Sequence, residues 1–272
     1  MELHPVGRPR AAVRLGAVVV VAVALAACSS SKSSTSTTGT TGGGLSGSIT
    51  VSAAASLKET FGTMKTNFEK AHPGTTINFN FGSSAALVTQ ITQGAPADVF
   101  ASASKTTMDD LVSAGKVEGH PEVFAKNTLE IVVKPGNPLG ITSLADLTKA
   151  KTVALCASDA PCGAAADKAL KQDGITLPTS QVTRGADVKA TLAEVTTGDA
   201  DAAVVYVTDA KTVTSSEGTA VPIAASQNII TSYEIAQVKG SKNGDLDQEW
   251  IAYVTGPEGQ AVLAAAGFMP PG

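Results

Sequence analysis

Histidine is scarce in this sequence, which contains only three among its 272 residues. His72 and His120 lie beyond the N-terminal apolar run, and each directly precedes a proline. The sequence also lacks a Gly-x-Ser-x-Gly turn, a phosphate-binding loop, a dinucleotide fingerprint and a zinc motif. We therefore expect a protein that is not an enzyme. A secreted hydrolase using Ser56 or Ser84 stays open as an alternative, and it would need a histidine beside one of those serines.

Aromatic residues make up only 4% of the chain, and the formal net charge is −4. A protein that binds nucleic acid usually presents a basic surface, so we expect no nucleic-acid partner. The negative charge gives no general attraction for an anion either. Any anion site must therefore be built from local donors.

The only long apolar run lies at the N-terminus, where three arginines between residues 8 and 14 precede the run 15–27. The run is too short for a stable membrane span, and this arrangement is typical of a secretory signal. Its end, Leu-Ala-Ala-Cys28, resembles the bacterial lipobox, in which the cysteine becomes the lipidated first residue. We expect residues 1–28 to be a lipoprotein signal peptide. Plain secretion with an unmodified Cys28 is the alternative.

Residues 29–46 are rich in Ser, Thr and Gly and carry almost no apolar side chains. Such a segment cannot bury apolar surface, which predicts a flexible tether. Together with a lipidated Cys28, the tether predicts a protein anchored to the outer face of the cell membrane.

Two cysteines follow Cys28, at positions 156 and 162. Because an exported chain meets an oxidising compartment, we expect Cys156 and Cys162 to form a disulfide. Two free thiols are the alternative. A metal site is not expected, because no further Cys or His completes a four-ligand set.

A change of period marks the start of the fold. Ile49 and Val51 lie in a short strand-like run, after which Leu57, Phe61, Met64 and Phe68 follow one helical face. Ser56 lies between the two patterns and is predicted to be the helix N-cap. A helix start presents free N–H groups and a partial positive charge, so this junction is one half of an anion site or an ordinary capped helix.

The same strand-to-helix pattern recurs along the chain. Ser84 lies at a second junction, small residues at 161–163 and 185–188 mark two more, and Tyr206 ends a further apolar strand. Repeated βα units indicate an α/β protein, here with two lobes and a ligand cleft between them. We expect one lobe from residues 47–127 and 230–272, the other from 128–229, and strands near 128–134 and 229–238 to carry the chain across and back.

Several helix starts aimed at one cleft would bind a small oxyanion without a cation. Hydrogen bonds to a charged group contribute about 1.5–3 kcal/mol each. A pocket that offers only donors favours a fully deprotonated anion, which needs no acceptor.

The ordered set of motifs resembles the periplasmic molybdate-binding proteins of molybdate ABC transporters over residues 48–270. The motifs are Ala53-Ala-Ala-Ser56-Leu, Phe81-Gly-Ser-Ser84, Gly94-Ala-Pro-Ala-Asp98-Val-Phe, Pro161-Cys-Gly163, Asp187-Val188 and Val205-Tyr206-x-Thr-Asp-Ala210. The resemblance implies the type II periplasmic-binding fold, with molybdate or tungstate held between two lobes and no cofactor. It implies no direct bond from protein to molybdenum.

The resemblance also implies roles for particular residues. Ser56 and Ser84 would donate from hydroxyl and backbone groups, Cys162 and Val188 from backbone N–H groups, and Tyr206 from its phenol. Relatives often have Ala where this chain has Cys162, a change that a backbone donor tolerates. The carboxylates of Asp98 and Asp209 would repel a dianion, so we expect them to turn away and hold backbone or hydroxyl groups.

These expectations combine into one reading, a monomeric, lipid-anchored binding protein that delivers molybdate to an ABC permease. One alternative is the same fold with sulfate, phosphate or tungstate as its ligand. The secreted hydrolase and a surface adhesin or structural lipoprotein are alternatives of other classes. The adhesin would lack a cleft of convergent donors.

Overall fold

Two five-stranded sheets organise residues 45–272, the part of the chain that the computed structural model describes. In chain order the strands are β1 Gly47–Ala54, β2 Thr75–Gly82, β3 Val99–Ser102, β4 Val117–Asn127, β5 Leu129–Val133, β6 Val153–Cys156, β7 Val182–Gly185, β8 Ala202–Tyr206, β9 Thr219–Pro222 and β10 Thr231–Val238. The first sheet has the order β2-β1-β3-β10-β4, and the second has the order β7-β6-β8-β5-β9.

Helices cover both sheets, and most of them follow a strand directly. They are α1 Lys58–Ala71, α2 Ser84–Thr92, α3 Lys105–Ser113, α4 Pro161–Gln172, α5 Val188–Thr196, α6 Val207–Ala210, α7 Gly244–Thr255 and α8 Pro257–Ala266. Short 3₁₀ turns lie at Ala55–Leu57, Ala145–Lys149 and Thr179–Gln181. Within the described residues, none of the helices combines the length and apolar character needed to cross a membrane.

Each sheet and its helices form one lobe. The first lobe is the sheet of β1 with α1, α2, α3, α7 and α8, and the second is the sheet of β6 with α4, α5 and α6. In each sheet parallel strands meet antiparallel ones: β1 is parallel to β2 and β3, and β6 is parallel to β7 and β8, whereas β10 and β5 run against their neighbours. The expected two-lobed α/β fold is confirmed.

The chain passes between the sheets twice. It leaves the first sheet at the end of β4 and enters the second at β5, with a single residue, Thr128, between them. It returns through residues 223–230, between β9 and β10. The two strands expected to carry the chain across, β5 and β10, therefore begin directly after the two crossings and lie wholly within one sheet each.

The helical face predicted after β1 is present. Leu57, Phe61, Met64 and Phe68 are all completely buried. Phe61 and Phe68 meet Trp250 of α7 edge-on, with ring centroids 5.6 and 5.4 Å apart, a geometry that aromatic pairs favour. This packing fixes α1 against the first sheet, and with α1 the turn that carries Ser56.

Two strands, β4 and β9, have no counterpart in the sequence-based expectation. β4 contains Gly119 and Pro121, which weaken a strand pattern, and its pairing with β10 shifts register around them. Both strands lie at a sheet edge, where proline and irregular pairing are tolerated. Edge position therefore explains why their sequences do not alternate cleanly.

Candidate anion-binding site

A small cavity lies between the two lobes, where strands end and helices begin. Its empty volume is about 210 Å³. All five residues predicted to contact a ligand line this cavity. The lining residues are Ala54, Ala55, Ser56, Gly82, Ser83, Ser84, Ala103, Ala160, Pro161, Cys162, Asp187, Val188 and Tyr206.

Ser56 lies inside a 3₁₀ turn, so the prediction that it caps the helix is wrong. Ala54 precedes the turn, and its side chain makes no capping hydrogen bond. The sequence signal was a hydroxyl at the point where the apolar period changes from that of a strand to that of a helix. In the structure β1 runs as far as Ala54, and Ser56 lies in the 3₁₀ turn between β1 and α1. Instead, Ser56 Oγ lies 2.8 Å from the hydroxyl of Tyr233 on β10, and both side chains are buried.

Ser84 is the first residue of α2 and comes directly after the N-cap residue Ser83. The side chain of Ser83 makes no capping hydrogen bond, so the first N–H groups of α2 remain available. Ser84 Oγ accepts a hydrogen bond of 3.0 Å from the backbone N–H of Ala103. Since that bond uses only a lone pair of the hydroxyl, the Ser84 proton is free to donate.

Cys162 occupies the second position of α4, and its N–H is the first in that helix because Pro161 has none. The N-cap residue of α4, Ala160, makes no side-chain capping hydrogen bond. Cys162 is joined to Cys156, the last residue of β6, by a disulfide. A Cβ atom at Gly163 would lie 2.0 Å from the carbonyl oxygen of Ala157, so only glycine allows α4 to begin this close to the strand end.

Val188 begins α5, and the cap before it leaves one N–H unused. Asp187 Oδ1 accepts hydrogen bonds from the N–H groups of Lys189 and Ala190, at 2.9 and 3.0 Å. The N–H of Val188 itself is not part of this cap. The carboxylate of Asp187 is thus committed to its own helix, while Val188 can donate into the cavity.

Tyr206 ends β8 and is buried, yet its hydroxyl has no hydrogen-bond partner within residues 45–272. Burial raises the pKa of Tyr206 well above its usual value. The nearby hydroxyls of Thr231 and Tyr233 offset this only in part and do not meet hydrogen-bond geometry with Tyr206. The phenol therefore keeps its proton and is a donor without an acceptor, which costs free energy unless a ligand accepts it.

Neutral groups dominate the lining. None of the residues that line the cavity is a lysine, an arginine or a histidine. His72 instead lies on the first lobe with its Nε2 atom 4.0 Å from Glu249 Oε1, so it does not approach Ser56 or Ser84 in the way a hydrolase requires. The arrangement suits binding of an oxyanion by neutral donors.

A charged cluster joins the two lobes at Lys189, the residue after Val188. Lys189 Nζ lies 2.8 Å from Asp209 Oδ1 in the second lobe and 2.7 Å from Glu59 Oε2 in the first. Burial raises the pKa of Asp209 to about 6, with Lys189 pulling it in the opposite direction. Burial alone would lower the pKa of Lys189, but the two carboxylates outweigh it and raise that pKa. At neutral pH Lys189 is thus held by two carboxylates.

Asp98 and Asp209, which we expected to turn away from the ligand, both lie outside the cavity lining. Asp98 accepts hydrogen bonds of 2.7 Å from the backbone N–H of Thr50 and from the hydroxyl of Ser241, as expected for a structural residue. Asp209 holds the ammonium group of Lys189 rather than the backbone or hydroxyl group that we expected.

Two residues near the cavity were missed by sequence reasoning, namely Tyr233 and Asn127. Tyr233 reaches Ser56 across 177 residues of sequence, and Asn127 reaches Tyr233 across 106. Contacts at this separation depend on where β10 inserts between β3 and β4, which no local pattern reveals. No sequence signal pointed to either residue.

Comparisons with known proteins agree with this geometry. Residues 49–269 match the family described as bacterial extracellular solute-binding protein. The molybdate-binding protein ModA of Mycobacterium bovis is 41% identical over 226 residues, with 82% of this chain and 85% of that protein covered. A putative ABC transporter substrate-binding lipoprotein of Bacillus subtilis, YvgL, is 31% identical, with 81% and 86% covered.

Solved structures give the same fold. The periplasmic molybdate-binding protein of Azotobacter vinelandii superposes with a TM-score of 0.75 at 21% identity, covering 82% of this chain and all of that one (100%). The fold and the cavity between its lobes define a solute-binding protein. The chain belongs to the bacterial extracellular solute-binding protein family, and the resemblance to molybdate-binding proteins is confirmed by the mycobacterial relative.

Proposed function

We propose that this protein captures molybdate outside the cytoplasm, takes tungstate as a second ligand, and delivers the anion to the permease of an ABC importer. The observation that carries the proposal is the cavity of neutral donors, above all the buried hydroxyl of Tyr206 that has no partner in the described residues. The 41% identity to a mycobacterial protein named for molybdate binding supports the choice of anion. No cofactor is required.

The donor set assigns a role to each of the five residues. In this proposal Ser56 and Ser84 donate from the first lobe, Cys162 and Val188 donate backbone N–H groups from the second, and Tyr206 donates its phenol. The donors come from both lobes, so a tetrahedral dianion held by all of them favours the closed arrangement of the lobes. Molybdenum enters only as the centre of the oxyanion, without a protein ligand.

The proposal extends to the N-terminus, which lies outside the described residues. Cys28 would carry the lipid that anchors the protein to the outer face of the membrane, and residues 29–46 would tether the monomeric binding domain. The Bacillus subtilis relative is named as a lipoprotein, in agreement with this reading. Replacing Cys28 by serine should release the protein into the medium without weakening its affinity for molybdate. Mass spectrometry that finds an unmodified mature Cys28 in the native host would refute the anchor.

Calorimetric titration of the purified protein with molybdate, tungstate, sulfate and phosphate tests the proposal. Molybdate and tungstate should bind most tightly, since a smaller tetrahedral ion leaves one or more donors out of reach. Each lost hydrogen bond to a charged group is worth about 1.5–3 kcal/mol, or roughly 10- to 150-fold in dissociation constant. Tighter binding of sulfate or phosphate would keep the fold and the site but overturn the ligand.

A further inference from the structure

A buried chain of hydrogen bonds lies behind Ser56 and leads to the point where the two lobes join. Asn127, the last residue of β4, donates from Nδ2 to Tyr233 Oη at 3.4 Å, and Tyr233 Oη lies 2.8 Å from Ser56 Oγ. All three side chains are almost completely inaccessible to solvent. Within the described residues Tyr233 Oη is the only hydrogen-bond partner of Ser56 Oγ, and Ser56 also lines the cavity.

The hydrogen bonds of Asn127 determine which of its atoms donates towards Tyr233. The backbone N–H of Thr128 donates to Asn127 Oδ1 at 2.9 Å, and a backbone N–H can only donate. The amide oxygen is therefore fixed on that side, and Nδ2 must face the other way. There it donates to Thr208 Oγ1 of the second lobe at 2.8 Å as well as to Tyr233.

The next hydrogen bond in this series joins the hydroxyl groups of Tyr233 and Ser56. The Tyr233 oxygen accepts from Asn127 Nδ2, which leaves its own proton available for donation to Ser56 Oγ at 2.8 Å. Burial raises the pKa of Tyr233 well above its usual value, so this proton is retained. When Ser56 Oγ accepts this proton, its own proton has no acceptor among the described residues and is available to a ligand in the cavity.

We propose that Tyr233 and Asn127 are positioning residues that hold the Ser56 hydroxyl as an obligatory donor to the bound anion. This inference rests on the proposed function and adds a source of its specificity. With Tyr233 donating to it, Ser56 has no acceptor for its own proton in the described part of the chain, only a ligand oxygen, so it meets the ligand as a donor. The site then discriminates against anions that carry a proton, such as hydrogen phosphate, in favour of fully deprotonated ones such as molybdate.

The inference is tested by a double-mutant cycle between Tyr233→Phe and Ser56→Ala, with molybdate affinity measured by calorimetry. Tyr233→Phe keeps the ring, which packs edge-on against Phe124, Tyr206 and Phe268, and removes only the hydroxyl. It should weaken binding about tenfold, the value of one ordinary hydrogen bond. In a protein that already carries Ser56→Ala, the same change should cost less than about twofold, because the residue through which it acts is gone.

Tyr253→Phe is the matched control. Tyr253 also has a buried hydroxyl without a partner in the described residues, and its ring stacks on Trp250 away from the cavity lining. It should leave molybdate affinity unchanged. Equal losses from Tyr233→Phe in the Ser56 and Ser56→Ala proteins would overturn the inference, because a packing defect does not depend on Ser56.

A second variant keeps the test decisive where Tyr233→Phe does not fold. Asn127→Asp replaces the donor that faces Tyr233 by an acceptor, which turns the Tyr233 proton away from Ser56. Its added charge is present with or without Ser56, so a larger loss in the Ser56 protein than in Ser56→Ala isolates the chain of hydrogen bonds. Equal losses overturn the inference.

Hydrogen phosphate supplies the second readout. Tyr233→Phe should lower the ratio of molybdate affinity to phosphate affinity, since the Ser56 hydroxyl is then free to turn its proton away from the ligand and accept a hydrogen bond. An unchanged ratio together with additive losses overturns the positioning role while molybdate binding by the unmodified protein stands. Failure of the unmodified protein to bind either molybdate or tungstate overturns the proposed function and the inference with it.

Discussion

The two lobes are built from different materials. All seven phenylalanines and the tryptophan lie outside residues 128–229, and of the three tyrosines only Tyr206 lies within them. The first lobe packs α1 and α7 through contacts among Phe61, Phe68 and Trp250. The second lobe relies on alanine and valine, as in β8, and on one disulfide.

This difference suggests how each lobe would position the donors that we propose. Large rings hold the first lobe, so its donors can be side-chain hydroxyls on firmly packed helix starts. The second lobe has small side chains, which let α4 and α5 approach the sheet closely and present backbone N–H groups. Its single aromatic residue, Tyr206, lines the cavity and meets Tyr233 of the first lobe at a ring distance of 5.9 Å. Tyr206 thus belongs to the buried core and also packs against the other lobe.

The largest effect is expected where the second lobe depends on close approach. In Gly163→Ala, the new Cβ would lie 2.0 Å from the carbonyl oxygen of Ala157, so the start of α4 must move and take the Cys162 N–H with it. In catalysis a misplacement near 1 Å can cost on the order of 100-fold in rate, and we expect a loss of molybdate affinity of similar size by calorimetry. Unchanged affinity would show that α4 does not supply a donor.

Gly62→Ala is the matched control in the first lobe. Gly62 lies within α1 and has no neighbouring atom within 4 Å of an added Cβ. The substitution should leave affinity unchanged and stabilise the protein by about 0.5–1 kcal/mol, because alanine favours a helix over glycine. Thermal unfolding of both variants separates loss of fold from loss of site.

Removing the hydroxyl of Tyr206 comes next in size. Tyr206→Phe keeps the ring and deletes the unpaired donor, so the fold should survive. A melting temperature equal to that of the unmodified protein would show that a loss of binding is not caused by unfolding. We expect molybdate affinity to fall roughly 10- to 150-fold, as for a hydrogen bond to a charged group. Ser56→Ala should cost a similar amount from the first lobe, and Val188→Ala little, because only its backbone is used.

Tyr253→Phe is the control for Tyr206→Phe, since both substitutions remove a buried hydroxyl without a partner in the described residues. Only Tyr206 lines the cavity. Equal affinity for Tyr206→Phe and the unmodified protein would make Tyr206 a packing residue and remove the phenol from the proposed site.

All five candidate residues lie on one cavity, whereas two of the ten strands were not predicted. Ser56, Ser84 and Tyr206 stand where a period changes or a strand ends, and such signals are local. The residues that orient them are not local: Tyr233 reaches Ser56 only because β10 pairs antiparallel with β3. β4 was not predicted because Pro121 interrupts the strand pattern, although an edge strand tolerates a proline. The contact of the five lining residues with an anion stays a prediction.

The disulfide should have a moderate effect on stability and a small one on binding. Replacing Cys156 and Cys162 together by alanine removes a crosslink between residues six apart in sequence. For so short a loop the chain-entropy model gives about 2 kcal/mol, measurable by chemical denaturation. Affinity should fall less than about threefold, because a backbone N–H at position 162 remains and Gly163 still fixes the start of α4.

Two observations would contradict that account. Reactive thiols at both positions in the denatured, unreduced protein would show that the pair is not oxidised. A loss of affinity as large as that in Gly163→Ala would show that the crosslink, rather than the close packing at Gly163, places the second-lobe donors.

The smallest effect is expected at the charged bridge between the lobes. Glu59 of α1 and Lys189 of α5 approach to 2.7 Å, with 51% and 24% of their side chains exposed. A pair this exposed contributes about 0.2–1 kcal/mol, and here the contribution favours the closed arrangement because its partners lie in different lobes. Glu59→Gln should weaken molybdate binding about two- to threefold, with a smaller difference at high salt, where exposed pairs are screened.

Asp109→Asn is the control: it removes one negative charge from an exposed pair with Lys105, but both partners belong to α3. Calorimetry at low and high salt should therefore show a salt-dependent loss for Glu59→Gln and none for Asp109→Asn. Identical results for the two variants would mean that the bridge adds nothing to closure, and that the lobes are held together by the ligand and its donors alone.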